Sequence, residues 1–349
     1  MQDALLKRLR VPFLRLALRL PSRLTTRLSD SIYENEGRSL EEKLRWFLRL
    51  VSLDPMTIEQ LDVETERNAY RQLGDSDIAG LRVDVTSADR QVPGETPVPI
   101  RIYRPHNARP NMPAIFWMHG GGWVIGDLDT HDRFCRRLCQ DADVVVIAAH
   151  YRRCPEHPFP APLTDVTAVW RWIVDNAEPL GIDSNRIALG GDSAGGNMTA
   201  VLCQELSQSY QPCLQVLCYP STDMVNRHPS RDRFAQGFFL TENLIRWFMR
   251  HYLQGCDPAS PRLSPLLNDT LDKQPPALLI TAGLDPLCDE GIAYGEKLSK
   301  TTEVTHQHEP TQIHGFITLT GALPEADRAV AKLCHEIREK LRVQIGARS

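Results

Sequence analysis

Apolar residues recur at helical spacing through the first 80 positions and then give way to short, nearly unbroken runs. Leu6, Leu9, Phe13, Leu16 and Leu20 form one stripe, with Lys7, Arg8, Arg10, Arg15 and Arg19 between them. This predicts a basic amphipathic helix that Pro12 divides into two short ones. Leu44, Phe47, Leu48 and Val51 form a second stripe, which Asp54-Pro55 interrupts before residues 57–73 resume in a charged, amphipathic register. The first strands fall at 81–86 and 98–104, bridged by a Pro/Gly loop. The pattern therefore divides the chain into a helical segment, 1–80, and a strand-bearing domain, 81–349.

Beyond this boundary strands and helices alternate. Strands are expected at 114–118, 144–149, 186–189, 214–219, 277–282 and 304–309, with helices near 129–141, 163–176, 194–206, 289–299 and 322–341. Such alternation implies a mostly parallel sheet with helices on both faces. Residues 221–262 interrupt it with an irregular, helical excursion carrying Phe234, Phe238, Phe239, Trp247, Phe248 and Tyr252. Their spacing assigns most of them to core or lid packing and a minority to contact with a substrate.

Composition narrows the function. The 349 residues suffice for one large α/β domain with an accessory part. With 40 basic and 44 acidic residues, a net charge of −4, no general basic field recruits nucleic acid. Nine scattered cysteines without CxxC pairs read as reduced thiols of a cytoplasmic protein. Cys135 and Cys139 share a helical face without a nearby histidine cluster, so no metal site is expected. Arginines within the N-terminal stripe deny both a secretory signal and a membrane span. That helix is expected to pack on its own protein, with peripheral contact to a membrane surface as its other use.

The chemistry centres on residues 186–197, an apolar run that breaks into glycines around one serine. Gly191, Ser193 and Gly195 fit G-x-S-x-G, a strand-to-helix bend that exposes a nucleophilic serine at a helix N-terminus. Three further candidates follow strands, where open α/β sheets hold their sites. The strand at 114–118 runs into His119-Gly120-Gly121-Gly122, whose backbone N–H groups, with that of Ala194, are candidate oxyanion donors. His119, Gly120 and Asp192 are expected to support that loop. Asp285 follows the strand at 277–282 as the candidate acid, whereas Asp289 and Glu290 open the next helix, where caps and dipole partners belong. His314 follows the last strand as the candidate base; His306 and His308 lie within it, on one surface face. Ser193, Asp285 and His314 occur in the order used by α/β-hydrolases.

Residues 119–122, 191–196, Asp285-Pro286-Leu287 with Asp289-Glu290, and His314-Gly315-Phe316 together resemble the hormone-sensitive-lipase-like esterases, including bacterial acetyl esterases. Residues 126–131 and 151–160 share the likeness, which covers most of 81–341. Arg153-Cys154 departs from the Leu-Ala usual in the family. The resemblance implies an α/β-hydrolase fold: an eight-stranded, mostly parallel sheet with helices on both faces, capped by 1–80 and 221–262. It also implies oxyanion donors in the glycine loop, and hydrolysis of short- to medium-chain carboxylic esters through an acyl-enzyme. The expected partner is a small-molecule ester, with no metal or organic cofactor and a homodimer as the assembly to test. Amide hydrolysis or lipase action by the same triad stays open. So does a receptor role: plant gibberellin receptors resemble the family but lack the histidine present here as His314.

Overall fold

The structure, a computed structural model, describes residues 42–52, 62–74, 83–206, 208–321 and 323–343. The basic helix expected within 1–20 and the Asp54-Pro55 break lie outside them. Two helices of the N-terminal segment are described, α1 (Glu42–Ser52) and α2 (Val63–Gly74). The stripe in α1 buries Leu44, Phe47 and Leu48.

Eight strands form one sheet: β1 (Val85–Val92), β2 (Val98–Pro105), β3 (Met112–Met118), β4 (Val145–Ala149), β5 (Ile182–Asp192), β6 (Leu214–Cys218), β7 (Ala277–Leu284) and β8 (Val304–Ile313). Their order is β1-β2-β4-β3-β5-β6-β7-β8. From β4 to β8 every pairing is parallel, and only β2 runs against both its neighbours, so the sheet is mixed but mostly parallel. Side chains alternate across it. Ile115 and Trp117 of β3 pack with α3 (Asp132–Ala142) and α9 (Pro324–Val343) on one face. Phe116 and Met118 pack with α4 (Ala161–Asp175) and α5 (Ala194–Glu205) on the other. Burial on both faces explains why β3 reads as a continuous apolar run, and each large side chain so enclosed contributes roughly 1.5–3 kcal/mol.

Three strands differ from expectation by four residues or more at one end. β1 starts at Val85 and continues to Val92; it is an edge strand with only its two ends buried, so its polar middle gives no strand signal. β5 begins four residues before the expected 186, in a polar, partly exposed stretch. β8 continues through Pro310 to Ile313, which its edge position allows because no neighbour needs that missing N–H.

The excursion holds α6 (Pro229–Arg233) and α7 (Glu242–Leu253), the latter capped by Thr241, whose hydroxyl accepts from Leu244 N. Helix α8 (Cys288–Leu298) follows β7. Both feet of the excursion are fastened near the G-x-S-x-G bend: buried Asn197 Nδ2 donates to Ser221 O and Leu263 O, each at 2.8 Å. No helix among the described residues is long and apolar enough to cross a membrane.

Candidate active site

The C-terminal ends of β3, β5, β7 and β8 lie along one rim of the sheet, and the candidate residues occupy it. Ser193 follows β5 with φ 54° and ψ −114°, a backbone conformation that costs a non-glycine residue about 1–3 kcal/mol. Crowding accounts for its glycine neighbour: a Cβ at Gly195 would run into the carbonyl of Met118. Asp285 follows β7 and is fully buried. His314 follows β8, with its Nδ1 at 2.8 Å from Asp285 Oδ2 and its Nε2 at 2.8 Å from Ser193 Oγ. Leu287 N donates to the other Asp285 oxygen at 2.9 Å, fixing the carboxylate. The Tyr219 ring lies 4.8 Å from the imidazole.

Gly121 and Gly122 adopt φ 112° and 56°, and the Phe248 ring occupies the space that a Cβ at Gly122 would need. The N–H groups of Gly121, Gly122 and Ala194 donate to no backbone carbonyl among the described residues. Asp192, beside the serine, braces the loop: its Oδ1 accepts from Gly120 N at 3.0 Å and Trp117 Nε1 at 3.3 Å. His131 Nε2 meets the same carboxylate. His119 lies behind the loop, its Nδ1 2.8 Å from Gly120 O and its ring stacked on Tyr151 at 4.2 Å. Burial, reinforced by His131, pushes its pKa well down, so it is a neutral prop. His306 and His308 are exposed on β8 and share the Thr281 hydroxyl, far in function from the Ser193 contact.

Ser193, His314, Gly121 and Gly122 open into a small cavity of about 90 Å³ walled by Tyr70, Leu244, Phe248 and other apolar side chains. A separate polar groove on the surface is occupied by its own ion pairs, Arg101 meeting Asp89, Asp129 and Asp132. Among the described residues no three His, Cys, Asp or Glu side chains converge to hold a metal ion.

Residues 115–318 match the family of α/β-hydrolase-fold proteins called Abhydrolase_3. The carboxylic ester hydrolase LipN of Mycobacterium tuberculosis is 39% identical over 298 residues, 81% of this chain and 78% of its own. An ethyl acetate hydrolase of Pseudomonas putida is 38% identical over 251 residues, 70% of this chain and 79% of its own. An α/β hydrolase from the metagenome of Lake Arreo superposes with a TM-score of 0.80 at 37% identity, covering 88% of this chain and 99% of that one. The chain belongs to the hormone-sensitive-lipase-like esterases of the α/β-hydrolase superfamily.

As a carboxylesterase of this family, it carries supports that sequence reasoning missed. Arg67 of α2 is buried; its guanidinium donates to Val124 O and Cys154 O, both at 2.9 Å, and forms a two-pronged pair with Glu156 at 2.7 Å. The esterase thus clamps α2 onto the segment after the glycine loop. Nothing in a charged helical register separates Arg67 from its exposed neighbours. Glu290 does sit in the first turn of α8, but it is fully buried, and its Oε1 accepts from Thr222 N at 2.7 Å and Asp223 N at 3.3 Å. Burial pushes its carboxyl up to about 8 against the pull of those donors and of Arg231. Its work is to hold the start of the excursion, beyond the cap role expected for it.

Proposed function

We propose that this esterase hydrolyses esters of short to medium acyl chains through an acyl-enzyme on Ser193. His314 Nε2 takes the Ser193 proton as Oγ attacks the ester carbonyl, and Asp285 holds the Nδ1–H tautomer and stabilises the resulting cation. The oxyanion lies against the N–H groups of Gly121, Gly122 and Ala194, where one donor is worth about 2.7–4 kcal/mol. The alcohol leaves with the proton from His314, and water repeats the attack to free the acid. What supports this reading is the unbroken hydrogen-bond chain from Ser193 through His314 to Asp285, opening into the cavity beneath the glycine loop.

Residues 1–80 and 221–262 act in this reading as a cap over the catalytic domain, 81–349. Tyr70 of α2 and Leu244 and Phe248 of α7 already line the cavity. An acyl chain gains about 0.8 kcal/mol per methylene until the wall is reached, after which each misfit costs roughly 1–3 kcal/mol. A p-nitrophenyl ester series from acetate to palmitate should therefore peak within roughly two to eight carbons and then fall sharply. Matched anilides should react far more slowly. Efficient hydrolysis of emulsified long-chain triglycerides would oppose the enclosed cavity. Deleting residues 1–30 separates two uses of the N-terminus: a cap role alters soluble-ester kinetics, whereas a membrane role abolishes liposome binding alone. The cysteines form no disulfide among the described residues, which fits a reducing cytoplasm, and light scattering tests the homodimer.

A further inference from the structure

Arg231, on α6, is 7% exposed and lines the same cavity as Ser193 and His314. Its Nε donates to Glu242 Oε2 at 2.8 Å, while Nη2 meets only the thioether of Met249, a weak acceptor at 3.7 Å. Nη1 has no hydrogen-bond partner among the described residues. Glu242 does not absorb the charge, because Arg246 at 2.8 Å and Arg227 at 3.3 Å share its carboxylate. Two acids share the cavity wall: Asp192 spends its oxygens on Gly120 N, Trp117 Nε1 and His131, and Asp223 spends its own on Val225 N, Asn226 and His228. Most of the rest of the cavity wall is apolar, with Leu240, Leu244, Ile245 and Phe248 among its side chains. The guanidinium therefore keeps donors that no protein group uses on the wall of the cavity. A ligand that brings an oxygen acceptor to it gains a charge-assisted hydrogen bond.

We infer that Arg231 is a specificity residue that receives an oxygen on the substrate arm remote from the scissile ester, so that the preferred esters carry a second oxygen function. This rests on the esterase reading above. A keto or ester carbonyl and a terminal carboxylate offer the same acceptor chemistry; the carboxylate adds charge.

Three ethyl esters of matched length separate these cases in a pH-stat assay: ethyl hexanoate, ethyl 5-oxohexanoate and monoethyl glutarate. The same three ends are then presented on the alcohol arm of acetate esters. On at least one arm, the wild-type protein should show a higher kcat/KM for an acceptor ester than for its methylene counterpart. In Arg231→Met this advantage should shrink tenfold or more, chiefly through KM, as expected for a lost charge-assisted hydrogen bond. Arg231→Lys, which keeps charge but not the planar fork, should retain part of it. A wild-type preference for the methylene end on both arms overturns the inference, as does an equal fall for all three esters in the Met variant. The wild-type comparison decides the matter where a variant fails to fold. Failure of the wild-type protein to cleave any of these esters would instead strike at the esterase reading itself.

Discussion

Ser193 is held in strain by its surroundings, and its hydroxyl meets an imidazole that is itself tied to a carboxylate shut off from water. Removing one member of such a unit costs nearly the whole effect. Ser193→Ala and His314→Ala should each lower kcat on a short ester by about a million-fold, and Asp285→Asn by about 10⁴-fold through the wrong tautomer. His306→Ala and His308→Ala should leave it nearly unchanged; the opposite ranking in a steady-state assay of purified variants would move the base into β8. Ser193, Asp285 and His314 were legible because each follows a strand and lies within two residues of glycine or proline, a local signal. Arg67 and Arg231 were not. Their work depends on carbonyls and open space supplied by chain far away in sequence.

Helix α7 was visible in the spacing of its aromatic residues, whereas α6, the five residues Pro-Ser-Arg-Asp-Arg, has no apolar stripe to reveal it. The excursion is a tethered piece: Asn197 pins both feet, and Phe248 lies against the glycine loop. Phe248→Ala should therefore enlarge the cavity at its glycine-loop wall. The optimum in a p-nitrophenyl ester series should shift toward longer chains, and the melting temperature should fall, since deleting a buried Phe side chain costs roughly 3–5 kcal/mol. An unchanged length profile would place the limiting wall elsewhere, at Leu244 or Tyr70.

The alternation of strands and helices made the parallel half of the sheet readable, but β1 was expected at 81–86 and runs over Val85–Val92, because an exposed edge strand needs no apolar alternation to mark its bounds. Contacts that join distant parts of the chain were equally hidden. Glu290 reaches Thr222 across 68 residues, and its burial has a consequence for the stability of the whole protein. The folded carboxyl keeps its proton up to about 8, whereas its ordinary value is 4.5. Between those values the unfolded chain binds fewer protons than the folded one, so this group's contribution falls as pH rises through the window and is fully lost above it. Glu290→Gln keeps a neutral side chain at every pH. The melting temperature of the wild-type protein, measured relative to this variant, should thus decline from pH 5 to pH 8 and then level off; parallel curves would contradict it.

Ser193, Asp285, His314 and the glycine loop hang from strand ends, while much of the cavity wall belongs to α2 and to the excursion with α6 and α7. Inherited change can therefore act on the two sets separately. A gene library randomised at Leu240, Leu244, Ile245 and Met249 should yield many active members with divergent preferences. The same mutational load placed in residues 190–196 should yield mostly dead ones, because at Gly191 and Gly195 even a methyl group meets the Met118 carbonyl of the neighbouring strand.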